Sequence, residues 1–344
     1  MKVIIVGKGA RGGVESFILK AFIQSGVETK FLDSDKYFAQ SVFNRIFNKI
    51  RRTPKYWGVK SFNDAVIKEA EEFTPDFILF FKPVLILPST LVKLKAVTKT
   101  FSWYPDYIPT KKSASTYFFD SIPLYDCHLS FNFANVEELK KLGAKRSLFL
   151  PCAADLDCHG PVAASDEEKK ELGADIVFMG TYANEKRAEY LERLCKDGYD
   201  IKIYGDGWEK HPKNSCLRQK NCIQFKALYC KDMSKVLNSS KISLSFVREY
   251  NKKVVTFCCR IYEIPASGGF MLHQRALKTD EVFKEGEEAA FFSSYEEMRE
   301  KIDFYLKNEE LRKKIVQKGK ERVLREYLFI HRVQSIIEIF KELK

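Results

Sequence analysis

Short apolar runs typical of β-strands alternate with helical patterns along almost the whole of this 344-residue chain. This alternation predicts parallel sheets with helices on both faces, because parallel strands need a crossover connection and a helix usually provides it. The chain is also too long for one compact core and suits two α/β domains. The strands predicted in the first half are Lys2–Val6, Thr29–Asp33, Asp76–Phe81, Thr98–Trp103, His128–Phe131 and Ser147–Leu150.

A polar stretch with proline and glycine, Pro151–Ala164, interrupts the alternation and is interpreted as an interdomain linker. The alternation then restarts and ends in helical segments. The sequence therefore predicts two doubly wound, Rossmann-like domains of similar size that face a cleft, the first spanning residues 1–155. The strands predicted in the second half are Asp175–Met179, Ile201–Tyr204, Ile223–Phe225, Ile242–Phe246, Phe270–Leu272 and Ala289–Phe292.

The composition is that of a folded, soluble protein, with 45% hydrophobic and 30% charged residues. The longest apolar runs, such as Phe77–Phe81, are far shorter than a membrane span, and Met1 leads directly into a strand rather than a signal peptide. Nine cysteines contain no Cys-x-x-Cys pair. We therefore expect reduced thiols that act as small hydrophobic residues, no structural metal, and a cytoplasmic location.

The net charge of +12 is concentrated in residues 1–155. Its densest part is the segment from Arg45 to Lys55. Val42, Phe43, Ile46, Phe47 and Ile50 recur at helical spacing in the stretch between Asp35 and Asp64 that contains it. A basic amphipathic helix can lie on the inner face of an anionic membrane or meet an anionic substrate. A helix packed on the core with a solvated basic face is the alternative. No nucleic-acid-binding motif accompanies the charge.

The first strand leads into a glycine-rich turn that matches G-x-G-x-x-G at Gly7, Gly9 and Gly12, with Arg11 inside it. Asp33 ends the second strand, about where an acid would bind the ribose of a dinucleotide. Glycines let a backbone approach a ligand, and a helix start offers N–H groups to an anion. The turn predicts a ligand-binding loop facing the cleft, and by itself it favours a nicotinamide-dependent oxidoreductase.

Loops with glycine or a basic residue follow the strands of the second half. Gly180 ends the first strand and Arg187 lies at the start of the next helix, an arrangement that suits a diphosphate. Residues Phe225–Tyr229, which include Lys226, could lie under a nucleotide base. Four such loops meet at one edge of an open sheet, which is where these sheets bind ligands. The candidate donor-binding residues in these loops are Gly180, Arg187, Gly205, Lys226 and Arg248.

The segment Arg260–Phe270 holds one acid, Glu263, among apolar residues, followed by the pair Gly268-Gly269. The order predicts a helix that ends at glycine and leads into a buried strand. A buried acid is costly unless a partner binds it, and ribose hydroxyls would be such a partner. A local cap or ion pair is the alternative. Arg260 is a further phosphate candidate, and the two glycines would allow close approach of the backbone to the donor.

These segments resemble the CgeB-like (spore-maturation-protein-like) glycosyltransferases, relatives of the retaining GT-B enzymes of glycosyltransferase families 1 and 4. The segments that carry the resemblance are Phe178-Met-Gly180 with Arg187, Tyr204-Gly-Asp-Gly-Trp208, Ser240-Lys-Ile-Ser-Leu244, Arg260-Ile-Tyr-Glu263-Ile-Pro-Ala-Ser-Gly-Gly269, Phe283-Lys-Glu-Gly-Glu287 and, in the first half, Trp103-Tyr-Pro-Asp106, Tyr125-Asp126 and Leu150-Pro-Cys-Ala-Ala-Asp155.

The resemblance implies transfer of a sugar from a UDP- or GDP-linked donor, bound mainly by residues 156–326, to a glycan, lipid or protein acceptor on the side of residues 1–155. It implies that residues 327–344 return to the first domain. Glu263 matches the second glutamate of the family's Glu-x7-Glu motif, which holds the ribose, whereas Val255 replaces the first. The stereochemical outcome is therefore open. Arginines would neutralise the leaving diphosphate without a metal ion.

Asp106 follows the fourth strand and is the candidate catalytic base in an inverting reaction, or an acceptor-orienting residue in a retaining one. A turn aspartate beside Pro105 is the alternative. His128, inside a predicted strand, is expected to be packed. Besides the glycosyltransferase, two hypotheses stay open: an NAD(P)-dependent oxidoreductase that uses the N-terminal glycine turn, and a protein that binds nucleotide sugars without turnover, as Val255 would allow.

Overall fold

A computed structural model describes residues 1–9, 12–38, 58–108, 114–249 and 257–343. The chain divides into two compact units: unit 1 is Met1–Pro151 with Phe329–Lys344, and unit 2 is Cys152–Leu328. The divisions lie close to the predicted boundaries after residues 155 and 326. Arg11, Val255 and the basic segment from Arg45 to Lys55 lie outside the described residues, so the predictions made for them stay predictions.

Unit 1 contains a parallel sheet of six strands in the order β2-β1-β3-β4-β5-β6. The central strand β3 is buried along its whole length, as its run of apolar residues requires when helices cover both faces. Helix α1 packs Phe17, Ile18, Ala21 and Phe22 against the core. The elements are β1 (Lys2–Gly7), α1 (Val14–Gln24), β2 (Glu28–Asp33), α2 (Val59–Phe73), β3 (Phe77–Phe81), α3 (Pro88–Leu94), β4 (Lys99–Tyr104), α4 (Thr116–Ser121), β5 (Cys127–Ser130), α5 (Ala134–Lys141) and β6 (Ser147–Phe149).

Unit 2 contains a parallel sheet of five strands in the order β11-β10-β9-β7-β8. Aromatic and aliphatic residues from its strands and helices form one core around Trp208 and Phe246. The elements are α6 (Leu156–His159), α7 (Asp166–Leu172), β7 (Ile176–Met179), α8 (Lys186–Lys196), β8 (Ile201–Tyr204), α9 (Cys216–Gln219), α10 (Cys230–Ser239), β9 (Ile242–Ser245), α11 (Arg260–Ala266), β10 (Met271–Gln274), α12 (Thr279–Val282), β11 (Ala290–Phe292), α13 (Tyr295–Lys307) and α14 (Glu309–Glu326).

The C-terminal helix α15 (Phe329–Glu342) belongs to unit 1, as the resemblance implied. Its amphipathic sequence places apolar residues against the first domain. Phe329 contacts Phe17 of α1 with ring centroids 5.4 Å apart, and Phe340 contacts Phe77 of β3 at 5.0 Å. The chain therefore leaves the first unit, builds the second and returns to cover the sheet on which it began.

The prediction of two parallel-sheet α/β domains is confirmed, but one predicted strand is wrong. Ile223–Phe225 makes a single bridge, between Ile203 and Ile223, and does not continue as a strand. Phe225 has a φ of 47°, a left-handed conformation that a regular strand cannot contain. Ile223 is buried, as its apolar character indicates, but the backbone from Ile223 to Phe225 is not extended throughout.

Four cysteines differ from the expectation of separate, reduced thiols. Cys158 and Cys230 form a disulfide, as do Cys195 and Cys216. Each pair is far apart in sequence and meets only because helices pack, α6 against α10 and α8 against α9, so sequence spacing gave no sign of it. The other five cysteines are not part of a disulfide. No helix within the described ranges is long and apolar enough to cross a bilayer.

Candidate functional site

In the unit 2 sheet, β8 is added on one side of β7 and the later strands on the other, so the topological switch point lies between β7 and β9. Because β7 pairs with both β8 and β9, the connections that leave it and β9 run to opposite sides and open a crevice beyond their carboxyl ends. Helix α11 begins at this edge: Arg260 Nε lies 3.5 Å from the carbonyl oxygen of Met179, the last residue of β7. The crevice is the candidate ligand site of unit 2.

Glu263 is the acid of this crevice. It lies in the first turn of α11, is only 9% exposed, and forms an ion pair with Arg260 one turn earlier on the same helix. Burial would lower the pKa of Arg260, but the neighbouring Glu263 outweighs it and raises that pKa, so the guanidinium stays charged. The structure thus brings together the predicted ribose-binding acid and one predicted phosphate-binding arginine at the end of β7.

His159 is a site residue that sequence reasoning missed. It lies in the predicted linker, which instead contains the single-turn helix α6, and it is buried with Nε2 3.6 Å from Glu263 Oε1. Burial lowers its pKa, partly offset by the charge of Glu263. The sequence carried one signal, an aspartate four residues before the histidine, since Asp155 caps α6 by accepting from the Cys158 N–H.

The loop from Gly180 to Arg187 is held by its own contacts. The Gly180 N–H donates to the Tyr204 carbonyl, and the Gly180 carbonyl accepts from Trp208 Nε1. Arg187 is buried at the start of α8 and donates to the Thr181 carbonyl at 2.6 Å. Arg187 therefore fixes the loop that borders the crevice, a role that differs from the direct diphosphate contact predicted for it.

Glu185, an acid to which the sequence assigned no role, lies at the end of the loop from Gly180 to Arg187. Its Oε1 lies 3.5 Å from Arg248, and its Oε2 lies 3.9 Å from Nε of Arg187. Arg248 remains partly exposed, with 40% of its side chain accessible. All three predicted phosphate-binding arginines thus already have an acidic neighbour, Glu185 for Arg187 and Arg248 and Glu263 for Arg260. An anion that binds Arg248 must compete with Glu185.

Gly205 is required by the meeting of two strand ends. Its φ is +147°, and a Cβ there would lie 2.2 Å from the carbonyl oxygen of Gly180. Its N–H donates to the carbonyl of Lys226, whose side chain is exposed. The structure therefore assigns Gly205 to packing between the β7 and β8 loops and places the Lys226 backbone beside them, and neither residue makes a contact that by itself indicates a nucleotide.

Gly268 and Gly269 lie at the opposite end of α11 from Arg260, and their predicted role at the donor stays a prediction. Gly268 has a φ of +82°; its N–H donates to the Pro265 carbonyl, while the Gly269 N–H donates to the Ile264 carbonyl. This is a Schellman cap, which ends a helix with glycine in the left-handed conformation. The prediction that the helix ends at glycine before a buried strand is confirmed.

In unit 1 the glycine-rich turn is closed by its own acid. Asp33 accepts from the Gly9 N–H at 2.8 Å and from the Asp35 N–H at 2.9 Å, and a Cβ on Gly9 would lie 2.3 Å from Asp33 Oδ2. Gly12 has a φ of +77° and begins the approach to α1. Gly9 therefore allows Asp33 to reach the backbone, and a dinucleotide phosphate would meet a carboxylate at this turn.

Unit 1 also contains a cavity of about 420 Å³ at its own switch point, beyond the carboxyl ends of β1 and β3. Its lining is apolar except for a few polar groups, among them Glu15, whose pKa is raised by burial, and Lys82. Lys82 Nζ forms an ion pair at 2.6 Å with Asp106, the candidate base, which thus lies beside this cavity. His128 is buried, as predicted.

Comparisons with known proteins agree on the architecture. Residues 186–338, which contain Arg187, Arg248, Arg260 and Glu263, match a family model described as "Glycosyl transferase-like". No curated protein sequence gives a significant match.

Three solved structures show how far the similarity extends. A glycosyltransferase from Rickettsia africae is 14% identical with a TM-score of 0.65, covering 99% of this chain and 98% of that one. Anabaena HepE is 13% identical with a TM-score of 0.66, covering 99% and 100%. Sucrose-phosphate synthase from Thermosynechococcus elongatus is 11% identical with a TM-score of 0.66, covering 99% and 98%. The chain has the GT-B fold of these glycosyltransferases.

Proposed function

We propose that the chain is a glycosyltransferase that takes a sugar from a UDP- or GDP-linked donor bound by unit 2. The observation that carries the proposal is the buried Glu263 carboxylate, paired with Arg260 at the switch point of the sheet. An acid at this edge suits ribose hydroxyls, and the arginine beside it suits the adjoining diphosphate. The matched family segment, residues 186–338, spans both residues.

The fold neighbours support a nucleotide-sugar donor. HepE has been crystallised with UDP and with UDP-glucose. In the proposed complex Arg260 and Arg248 neutralise the leaving diphosphate, and Arg187 holds the loop beside it, so the reaction proceeds without a metal ion. Glu185 gives up its contact with Arg248 when the diphosphate arrives.

The acceptor side of the proposal rests on unit 1. The cavity beyond β1 and β3 offers apolar surface with Glu15 and Lys82 as polar groups, which suits a hydroxyl-bearing group on a glycan, lipid or protein. Asp106 beside Lys82 is the proposed base or acceptor-orienting residue. We propose that the enzyme works in the cytoplasm on a surface-glycan precursor.

The test is protection from thermal unfolding by UDP, GDP and NAD, since a ligand of the native state raises its apparent stability. We expect UDP or GDP to raise the Tm and NAD to leave it unchanged. Glu263→Ala should lower nucleotide affinity by about tenfold or more, because a hydrogen bond to a charged group is worth about 1.5–3 kcal/mol. Glu300→Ala, on the exposed side of α13, is the matched control.

Protection by NAD alone would refute the proposal in favour of an oxidoreductase. Replacement of the family's first glutamate by Val255 keeps a second candidate, a protein that binds the nucleotide sugar without turnover. Release of free nucleotide from UDP-glucose or GDP-mannose in the presence of acceptor would distinguish the enzyme from this binding protein.

A further inference from the structure

The single-turn helix α6 places a buried imidazole against the acid of the unit 2 crevice. His159 is 4% exposed, and the backbone N–H of Asp155 donates to its Nδ1 at 3.1 Å. A ring nitrogen that accepts a hydrogen bond carries no proton, so in the neutral ring the proton is on Nε2. Nε2 is the nitrogen that lies 3.6 Å from Glu263 Oε1. The ring therefore presents an N–H to the carboxylate.

We propose that His159 is a positioning residue for the donor site, holding the Glu263 carboxylate in the orientation that receives the two ribose hydroxyls. The inference rests on the proposed function and deepens it. Arg260 engages Oε2, and Nε2 of His159 faces Oε1. A carboxylate has about four acceptor positions. One partner on each oxygen leaves one position on each, which matches a cis-diol that donates two hydrogen bonds.

The separation of 3.6 Å is longer than a hydrogen bond. Contacts of this kind are often long in an empty site and tighten when the ligand binds. The imidazole can supply the contact without adding charge, because burial lowers the pKa of His159 and keeps the ring neutral at pH 7. The charged groups that face it are Glu263, Arg260 and Asp155. The Glu263–Arg260 pair thus keeps its own charge balance.

The turn that carries His159 is tied to the helix that carries Glu263. Cys158 forms a disulfide with Cys230 on α10, and the Cys158 carbonyl accepts from Ser234 Oγ at 3.3 Å. Ser234 Oγ lies 3.1 Å from Ser267 Oγ, which donates to the Glu263 carbonyl at 2.7 Å. The disulfide ties α6 to α10, and the two serine hydroxyls bring α10 against α11, so the turn that carries His159 and the helix that carries Glu263 are both packed on α10.

The experiment compares two variants of His159: one keeps a donor at the position of Nε2, and the other keeps an acceptor at the position of Nδ1. His159→Gln places an amide N–H near the position of Nε2 and retains the donor to Glu263. His159→Asn places an amide oxygen near the position of Nδ1, so it retains the acceptor for Asp155 N–H and lacks the donor. Binding of UDP and of 2′-deoxy-UDP is measured by calorimetry, with the Tm of each variant as a check on folding.

For the wild type we expect UDP to bind about tenfold more tightly than 2′-deoxy-UDP, the effect of one hydrogen bond to a charged acceptor. The ratio should stay near tenfold in His159→Gln and fall toward one in His159→Asn, as in Glu263→Ala. A wild-type ratio in His159→Asn with a lost ratio in Glu263→Ala would overturn the role of His159 alone. Equal binding of the two nucleotides by the wild type would instead refute the ribose site itself.

Discussion

The two units place an acid beside the switch point of a parallel sheet, but the acids have different partners. In unit 1 Asp33 accepts from two backbone N–H groups, those of Gly9 and Asp35, and thereby shapes the turn. In unit 2 Glu263 pairs with the side chain of Arg260 and lies 3.6 Å from His159, and we propose that it keeps acceptor positions for a ligand. The partners of Asp33 are backbone groups of one loop, whereas the partner of Glu263 is a side chain that a ligand could share.

Gly205 in unit 2 faces a backbone carbonyl, whereas Gly9 in unit 1 faces a side chain. Replacing Gly205 should therefore cause the largest loss of stability. Gly205→Ala should destabilise unit 2 by about 3 kcal/mol or more, because its Cβ would overlap the fixed Gly180 carbonyl. Gly9→Ala should cost unit 1 about 1–2 kcal/mol, since only the Asp33 side chain must rotate away. Amide hydrogen exchange of β8 and β1 reports each unit separately.

Gly198→Ala is the control for Gly205, because Gly198 also has a positive φ, +92°, but no atom lies within 4 Å of its added Cβ. It should cost about 1 kcal/mol, the strain of the left-handed conformation alone. A Gly205→Ala variant as stable as Gly198→Ala would show that the two strand-end loops of unit 2 can separate without cost.

The two units also differ in a buried histidine, which has hydrogen-bond partners in unit 1 and none among the described residues in unit 2. In unit 1 His128 Nε2 donates to the Ile122 carbonyl at 2.9 Å, and Nδ1 accepts from Ser102. In unit 2 neither nitrogen of His273 has a hydrogen-bond partner among the described residues. His128→Met should cost about 2–4 kcal/mol, because it leaves two buried partners unpaired. His273→Met should be nearly neutral or stabilising in urea unfolding at pH 7.

These histidines also predict a loss of stability in acid. Burial lowers the pKa of His128 to about 4 and that of His273 to about 3, below the value of about 6.5 in an unfolded chain. The unfolded state therefore takes up the proton first as the pH falls. The stabilisation is complete above pH 6.5 and is lost progressively down to each folded pKa. At pH 5 each histidine should have lowered the free energy of unfolding by about 2 kcal/mol relative to pH 7. The His273→Met variant should not show this loss in unit 2.

The smallest effects come from the acids at the two loops. Asp33→Ala should destabilise unit 1 by about 1 kcal/mol, the usual worth of such a cap, and leave UDP binding unchanged.

Glu185→Gln should leave stability unchanged and strengthen UDP binding by about threefold, because Arg248 no longer has a competing anion. Calorimetry at low and high salt checks the second effect, which salt should reduce. Weaker UDP binding by Glu185→Gln would mean that Glu185 positions Arg248 for the diphosphate.

Local patterns were sufficient for the elements and for part of the site. The alternation of apolar runs and helical periods correctly placed most strands of both sheets, because burial on both faces demands continuous apolar residues. Arg260 and Glu263 lie one turn apart on the predicted helix, and their binding roles stay predictions. Gly268 and Gly269 end α11 as the sequence predicts, and their role at the donor stays a prediction, since local sequence does not tell whether glycines also approach a ligand.

The amino-acid sequence by itself determined two parallel-sheet α/β units, the acid at the start of α11 and the capped end of that helix, since each follows from residues close together in the chain. Only the tertiary structure decided that His159 meets Glu263, that Glu185 lies beside Arg248, and that Cys158 bonds to Cys230. Those partners are separated by 60 residues or more, and their contacts exist because helices from different parts of unit 2 pack at one edge of its sheet.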